Sequence, residues 1–379
     1  MTTFIHCGGI RTPDWTGGTG PSTVVLDGGR IHDIREGHVL PPTDGTLLSW
    51  KDYVVLPGLF DCHDHLTLDS VTAPVPDEDV GVVFALRAAA VCGELLDKGV
   101  TTVRDAGSRG AVNFAIKRAL RAKLFQGPDL IVPGHRIART GFTKWAVCRE
   151  VDGAENLRKA VREEAKRGAD YIKLMVSGVV SGGGTPYDPQ YTEEEIEAAV
   201  REAHDLGLKV GVHAYGGEGA SRSIRSGADS VEHGASLSDE DIGRMAEQGT
   251  FLVVTYKAVR SAVTSPDPVI REKGHTMTER YDGTLRKARQ AGVRIAVGGD
   301  SYDFDPSEEA DALLAAGFSP AEALSALTEN GAALCGMRDK GRVEKGYVAD
   351  LVALEGDPLL DIRSLKRVRG VLRDGVQVR

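Results

Sequence analysis

Residues 56–65 are Leu56-Pro57-Gly58-Leu59-Phe60-Asp61-Cys62-His63-Asp64-His65. The apolar run at the front of this stretch has the length of a buried strand, and Pro-Gly punctuates its beginning. Successive side chains of a strand point to opposite faces, so His63 and His65 share one face. The stretch therefore predicts a buried strand that presents two imidazoles at its C-terminal end.

Seven further apolar runs of strand length follow, and crossovers long enough for a helix separate them. They lie at residues 101–105, 130–132, 171–176, 210–213, 230–233, 251–254 and 295–298. Helical periodicity predicts helices at Val83–Lys98, Ala111–Lys123, Glu155–Arg167 and Glu193–Leu206, the last with Thr192 as its N-cap. Parallel neighbouring strands need such crossovers, so eight strand–helix units predict an α/β fold, the (β/α)8 TIM barrel.

Both ends of the chain have the pattern of antiparallel strands. Asp27-Gly28-Gly29 separates two β-branched runs near the start, and Asp374-Gly375 does the same near the end. We expect these strands to form one small β-sandwich-like domain from residues 1–56 and 340–379. Residues 57–339 are then the barrel domain.

Composition excludes several classes of protein. The 379 residues include 46 Lys and Arg against 55 Asp and Glu, a net charge of −9, which argues against general affinity for nucleic acid or an anionic membrane. The five cysteines form no C-x-x-C pair, as expected in a reducing compartment. With no secretory pattern and no apolar run of about 18 residues, we expect a cytoplasmic protein acting on a small molecule, without nucleic acid or membrane partners.

The active site of a TIM barrel lies at the C-terminal ends of its strands, and polar residues occupy these positions in several of the predicted strands. His213 and His233 close the fifth and sixth runs, and Asp300 follows the eighth after two glycines. Imidazole and carboxylate groups are ligands of zinc and similar ions. The pattern therefore predicts a metal site that contains these residues together with His63 and His65.

Lys173 interrupts the apolar run Tyr171-Ile172-Lys173-Leu174-Met175. Burial disfavours the charged ammonium form, so such a lysine normally reaches solvent or pairs with a carboxylate. The alternative is that the neutral amine reacts with CO₂. The resulting carbamate is an anion whose two oxygens can bridge two divalent ions. The sequence leaves both interpretations open.

Taken together, these residues resemble the metal-dependent amidohydrolase superfamily. Tyr171-Ile172-Lys173-Leu174 and His213-Ala214-Tyr215-Gly216 are most similar to its branch of Xaa-Pro dipeptidases, Lys/Arg carboxypeptidases and imidazolonepropionase-like proteins. The resemblance implies two divalent ions, expected to be Zn²⁺, bridged by Lys173 as N6-carboxylysine. One ion is held by His63, His65, Lys173 and Asp300, and the other by Lys173, His213 and His233. It also implies that a metal-bridging hydroxide cleaves a C–N bond of an amide, peptide or cyclic amide, with Asp300 as the proton shuttle.

Other functions stay open at this point. Mononuclear deaminases of the same superfamily generally lack the lysine on strand 4, which argues against that alternative. Carboxylic ester hydrolysis is a further activity within the superfamily, and the remaining alternative is a non-catalytic barrel scaffold. A metal content of about two, one or zero ions per chain separates the binuclear hydrolase, the deaminase and the scaffold. Barrels of this kind also form dimers or larger closed assemblies, so a homo-oligomer is an expectation.

One departure from the dipeptidase-like branch concerns the substrate. That branch has Thr-Gly-Gly-His after strand 3, whereas this chain has Thr140-Gly141-Phe142-Thr143. We therefore expect the loop from His135 to Cys148 to set specificity and to disfavour ordinary dipeptides. Its candidate substrate contacts are His135 and Phe142, with Trp145 beside them, and further candidates at strand ends are Tyr215 and Tyr256. Loop charges that could bind a carboxylate, or could merely be solvated, are Arg136, Arg139, Lys144 and Arg149.

Overall fold

The computed structural model describes residues 2–11, 15, 20–67, 79–181, 184–301 and 303–379. Its strands are β1 (Thr3–Ile10), β2 (Ser22–Asp27), β3 (Arg30–Glu36), β4 (Thr46–Pro57), β5 (Leu59–Asp64), β6 (Val100–Asp105), β7 (Asp129–Ile131), β8 (Arg136–Ala138), β9 (Cys148–Glu150), β10 (Tyr171–Met175), β11 (Lys209–Gly216), β12 (Ser230–Ser236), β13 (Phe251–Val254), β14 (Ile295–Val297), β15 (Leu351–Leu354), β16 (Val368–Arg373) and β17 (Val376–Gln377). Its helices are α1 (Val80–Asp97), α2 (Asn113–Arg121), α3 (Ala154–Arg167), α4 (Glu193–Asp205), α5 (Gly217–Arg225), α6 (Asp239–Gln248), α7 (Tyr256–Ser261), α8 (Pro268–Ala291), α9 (Pro306–Ala315), α10 (Pro320–Leu327) and α11 (Glu329–Leu334).

All eight predicted barrel runs are strands, and they pair in parallel. β5, β6 and β7 form one sheet, and a second sheet has the order β14-β13-β12-β11-β10-β8-β9. The backbone links the two sheets at both edges. Asp170 N donates to Val132 O at 2.8 Å beyond β7, and Asp300 N donates to His63 O at 2.7 Å beyond β14. The last strand of the series therefore lies against the first.

The terminal strands form one mixed sheet of order β17-β16-β15-β4-β1-β2-β3, built from both ends of the chain as predicted. β4 pairs in parallel with β1 and antiparallel with β15, and it leads through Gly58 directly into β5. A Cβ on Gly58 would stand 2.1 Å from the hydroxyl of Thr101, so only glycine fits there. The small sheet domain is thus confirmed, while its sandwich-like packing stays a prediction.

The helices follow the sequence pattern closely. α4 begins after Thr192, whose side chain accepts from Glu195 N while the Glu195 carboxylate accepts from Thr192 N, a capping box. The sequence did not predict β8, β9 or the long helix α8. No helix among the described ranges has both the length and the apolar character to cross a membrane.

Candidate metal centre

The six predicted ligands come together at the C-terminal ends of the parallel strands. His63 lies on β5, Lys173 on β10, His213 on β11 and His233 on β12, while His65 directly follows β5 and Asp300 comes three residues after the end of β14. Nε2 of His63 and Nε2 of His65 lie 3.1 and 3.3 Å from Asp300 Oδ1. Nδ1 of His213 lies 2.8 Å from Nε2 of His233. The ligand atoms thus form two adjoining groups.

Each imidazole has an acceptor beside its outer nitrogen. The pairs are His63 Nδ1 with Glu232 Oε2 at 2.9 Å, His65 Nδ1 with Gly107 O at 3.3 Å, His213 Nε2 with Gly178 O at 2.9 Å, and His233 Nδ1 with Thr255 Oγ1 at 2.7 Å. A neutral imidazole donates from one nitrogen and keeps a lone pair on the other. The acceptors therefore favour the tautomers whose lone pairs point inward, which is the usual arrangement for histidines that bind metal.

Burial favours the neutral imidazoles. Burial, and after it the charge of Lys173, lower the pKa of His63 to about 4 and that of His213 to about 3. Facing lone pairs repel each other unless a cation lies between them. Ligand atoms at about 2.1 Å from a tetrahedral ion stand about 3.4 Å apart, close to the separations around Asp300. The donor set fits a divalent metal, and the ligand atoms of His63, His233 and Asp300 all lie within 4.8 Å of one another.

Lys173 belongs to a buried group of charges. Its ammonium group is ion-paired with Glu232 Oε2, and Arg104 donates to Glu232 Oε1 at 2.7 Å. The Arg104 guanidinium also stacks on the ring of Tyr171, 3.8 Å from its centre. Burial and then the charge of Arg104 hold the pKa of Lys173 well below its ordinary value. Pairing with a carboxylate is one of the two interpretations that the sequence left open.

Glu232 and Arg104 are site residues that the sequence did not single out. Both stand inside buried strands, in Val231-Glu232-His233 and Val103-Arg104-Asp105. A charged residue at a strand position that faces the barrel interior was the available signal, because such a charge needs a partner. The pattern alone did not show that the two residues are each other's partners.

The backbone at two ligands is unusual. Asp300 has φ of +52° and His233 has φ of +72°, conformations that non-glycine residues rarely adopt and that cluster at functional sites. Gly298 allows the close approach beside Asp300, since a Cβ there would stand 2.5 Å from His63 N. Backbone geometry thus places the Asp300 carboxylate against the two imidazoles at the end of β5.

Asp300 reaches a cavity, and its surroundings favour the ionised carboxylate. Burial opposes ionisation, but the neighbouring His63 and His65 imidazoles outweigh it and hold the pKa of Asp300 well below its ordinary value. The side chain is still 24% exposed. It lines a cavity of about 460 Å³ together with Tyr215 and Ile270. This carboxylate can therefore accept a proton from a molecule in the cavity.

The predicted substrate contacts lie in different places. Tyr215 stacks on His233 with ring centres 4.8 Å apart and lines the same cavity as Asp300. Tyr256 instead lines an adjoining cavity of about 850 Å³, together with His275, and the two cavities share part of their lining. Tyr215 is therefore placed to meet a substrate at the ligand cluster, whereas Tyr256 lines the neighbouring cavity.

The two predicted contacts on the strand 3 loop are both engaged with protein. His135 Nδ1 lies 2.8 Å from Glu164 Oε1 on α3. Phe142 is buried in a small apolar cluster with Met175 and Val179. The side chain of Trp145 falls outside the described part of the structure. The roles of His135 and Phe142 in substrate binding stay predictions.

Comparison with known proteins agrees with this geometry. Residues 54–378 match the amidohydrolase family. A crystal structure of a Xaa-Pro dipeptidase with bound methionine in its active site has a TM-score of 0.92 and 30% identity, covering 100% of both chains. The ochratoxinase of Aspergillus niger is 29% identical over 358 residues, covering 84% of this chain and 73% of the ochratoxinase. The imidazolonepropionase of Paracoccus denitrificans is 25% identical, covering 93% of this chain and 92% of that protein.

The chain belongs to the amidohydrolase family. The predicted superfamily and the predicted class, a hydrolase of C–N bonds, are confirmed. The structural likeness also supports a TIM barrel with a small sheet domain. Amidohydrolases generally bind divalent metals, which agrees with the donor set around Asp300.

Proposed function

We propose that this protein is a binuclear metal-dependent hydrolase of an amide, peptide or cyclic amide bond. The observation that carries the proposal is the orientation of the four imidazoles. An acceptor lies within 3.3 Å of the outer nitrogen of each imidazole, and the inner nitrogens are directed at one another or at Asp300. Cations between the inner atoms would stabilise this arrangement, because lone pairs that face one another repel.

The six predicted residues would hold two ions in the proposed enzyme. His63, His65 and Asp300 would hold one, and His213 and His233 would hold the other, with zinc as the expected metal. We propose that Lys173, as its carbamate, would supply oxygen ligands to the two ions. Its depressed pKa supplies the free amine that reacts with CO₂, and Arg104 already balances the charge of Glu232.

The chain's own residues perform the proton transfers in the proposed mechanism. When bound, the divalent ions lower the pKa of water and polarise a carbonyl group. Asp300 accepts the proton of the attacking water at its carboxylate and delivers it to the leaving nitrogen. Tyr215 lies beside His233 and Asp300 in the same cavity, where its hydroxyl can hydrogen-bond the substrate.

The relatives support an amide substrate without fixing which one. A Xaa-Pro dipeptidase and an ochratoxinase both cover most of this chain. The histidine of the dipeptidase-like branch is replaced by Thr143, next to the buried Phe142. We therefore propose that the substrate is an amide other than an ordinary dipeptide.

The remaining structural expectations complete the proposal. We propose that β5 and β14 close the parallel array into an eight-stranded barrel, with domain boundaries at 1–56 plus 340–379 and at 57–339. A homo-oligomeric assembly and a cytoplasmic location stay predictions of the sequence.

The test is a substrate screen coupled to metal removal. Purified protein is assayed against N-acyl amino acids, Xaa-Pro and Xaa-Lys dipeptides, lactams and carboxylic esters, before and after treatment with a chelator. We expect hydrolysis of at least one amide, its loss with the metal, and its return on addition of Zn²⁺. Amide hydrolysis that survives complete metal removal would contradict the proposal, as would a chain that hydrolyses only esters.

A further inference from the structure

Arg136 stands on the same face of the parallel sheet as the metal ligands. It lies at the start of β8, where its Cα pairs with that of Lys173 on β10. Residues opposite each other in a parallel ladder project to the same side of the sheet. The side chain of Arg136 therefore leaves the backbone on the same face of the sheet as the side chain of Lys173.

Contacts further along the side chain agree with this direction. Its Cγ packs on Gly107, where a Cβ would stand 2.6 Å away. The carbonyl of Gly107 is the acceptor beside Nδ1 of His65. The stem of the Arg136 side chain thus lies against the backbone that contacts His65.

Arg136 differs from the other arginines of its loop in having no acceptor within the described part of the chain. Arg139 donates to Gln190 at 2.7 Å, and Arg149 donates to Glu164 at 3.0 Å. Among the described residues no hydrogen bond or ion pair reaches the Arg136 guanidinium, although its Nε is buried. Burying a cation without a counter-charge costs free energy, and binding an anion from outside the chain would offset that cost.

Apolar side chains lie beside this cation. Ala138, two residues along β8, shares its face and packs in the cluster that contains Phe142, Met175 and Val179. A fixed cation beside an apolar surface and a metal centre suits a molecule that carries a carboxylate, an apolar group and a scissile amide.

We propose that Arg136 binds a carboxylate of the substrate, and that the substrate class is carboxylate-bearing amides with an apolar group, other than ordinary dipeptides. This inference rests on the proposed amide hydrolysis and names its substrate class. Arg136 then supplies a positive charge for the substrate in a loop where Thr143 replaces the histidine of the dipeptidase-like branch.

The test measures binding and needs no turnover. Calorimetry compares 3-phenylpropanoate with its neutral counterpart 3-phenylpropanamide on the metal-loaded protein. We expect the carboxylate to bind about tenfold to a hundredfold more tightly, the range of a charge-assisted hydrogen-bonded pair. Arg136→Met should abolish that preference with unchanged metal content, and Arg136→Lys should restore part of it. The control Lys144→Met removes an exposed positive charge from the same loop and should keep the full preference.

Every outcome is decisive for Arg136. Equal binding of the two probes by the wild type overturns the proposal. A carboxylate preference that persists in Arg136→Met also overturns it and assigns the preference to the metal ions. If Arg136→Met does not fold, Arg136→Gln replaces it under the same criteria. Failure of the proposed function can be told apart from failure of this inference, because a chain that hydrolyses no amide can still show an Arg136-dependent preference between the probes.

Discussion

Thr255→Val tests whether the imidazoles are set up for metal by the partners of their outer nitrogens. Thr255 is buried directly after β13, and its Oγ1 lies 2.7 Å from Nδ1 of His233. Its backbone N donates to the hydroxyl of Tyr281 at 3.0 Å, so the threonine is held in place. Valine keeps the shape but removes the acceptor. A buried donor left without an acceptor costs about 1–3 kcal/mol.

That cost appears in metal binding as well as in stability. Without its acceptor His233 loses the preference for the tautomer with the inward lone pair, so we expect metal affinity to fall by about 10–100-fold. Affinity is measured by competition with a coloured chelator. Thr250→Val is the matched control, because Thr250 is also buried, precedes the same strand, and uses its hydroxyl on Ala228 O at 3.1 Å, away from the ligands. Equal metal affinity of the two variants would refute the reasoning.

Three further predictions concern catalysis, metal and pH. Asp300→Asn keeps the shape and an oxygen ligand but loses the base, so kcat should fall by about 10²–10⁴ while most metal stays bound, and near-normal kcat would reject this role. Lys173→Ala should lose metal and activity, with partial rescue by short carboxylic acids; full metal content in the variant would argue against the bridge. Burial raises the pKa of Glu309 from 4.5 to about 8, so the folded chain retains a proton that the unfolded chain releases, and the free energy of unfolding should fall between about pH 5 and pH 8. Glu309→Gln should flatten that decline in urea denaturation, and superimposable curves for variant and wild type would contradict the assignment.

The sequence predicted those parts of the site that depend on local geometry. A strand has a period of two, so His63 and His65 had to share a face, and both approach Asp300. The same rule places Tyr215 with His213, two residues earlier on β11. These placements need only the strand itself and the knowledge that catalytic groups gather at strand ends.

Contacts between strands distant in sequence escaped prediction. Arg104 and Glu232 are 128 residues apart, and their contact depends on how strands of two sheets face one another across the interior. Tyr215 lies on β11, whereas Tyr256 comes two residues after β13 and begins α7, where the period of two no longer applies, and it lines a different cavity. His135 follows β7 yet turns toward Glu164 on α3, a direction that depends on how the helix packs.

Metal stoichiometry tests the central claim most directly. Purified protein is equilibrated with excess Zn²⁺ and bicarbonate, freed of unbound metal, and analysed for zinc against protein concentration. The proposed centre predicts two ions per chain, because the inner atoms of His63, His65 and Asp300 form one group and those of His213 and His233 form another. A saturating content of one ion, or of none, would contradict the binuclear centre.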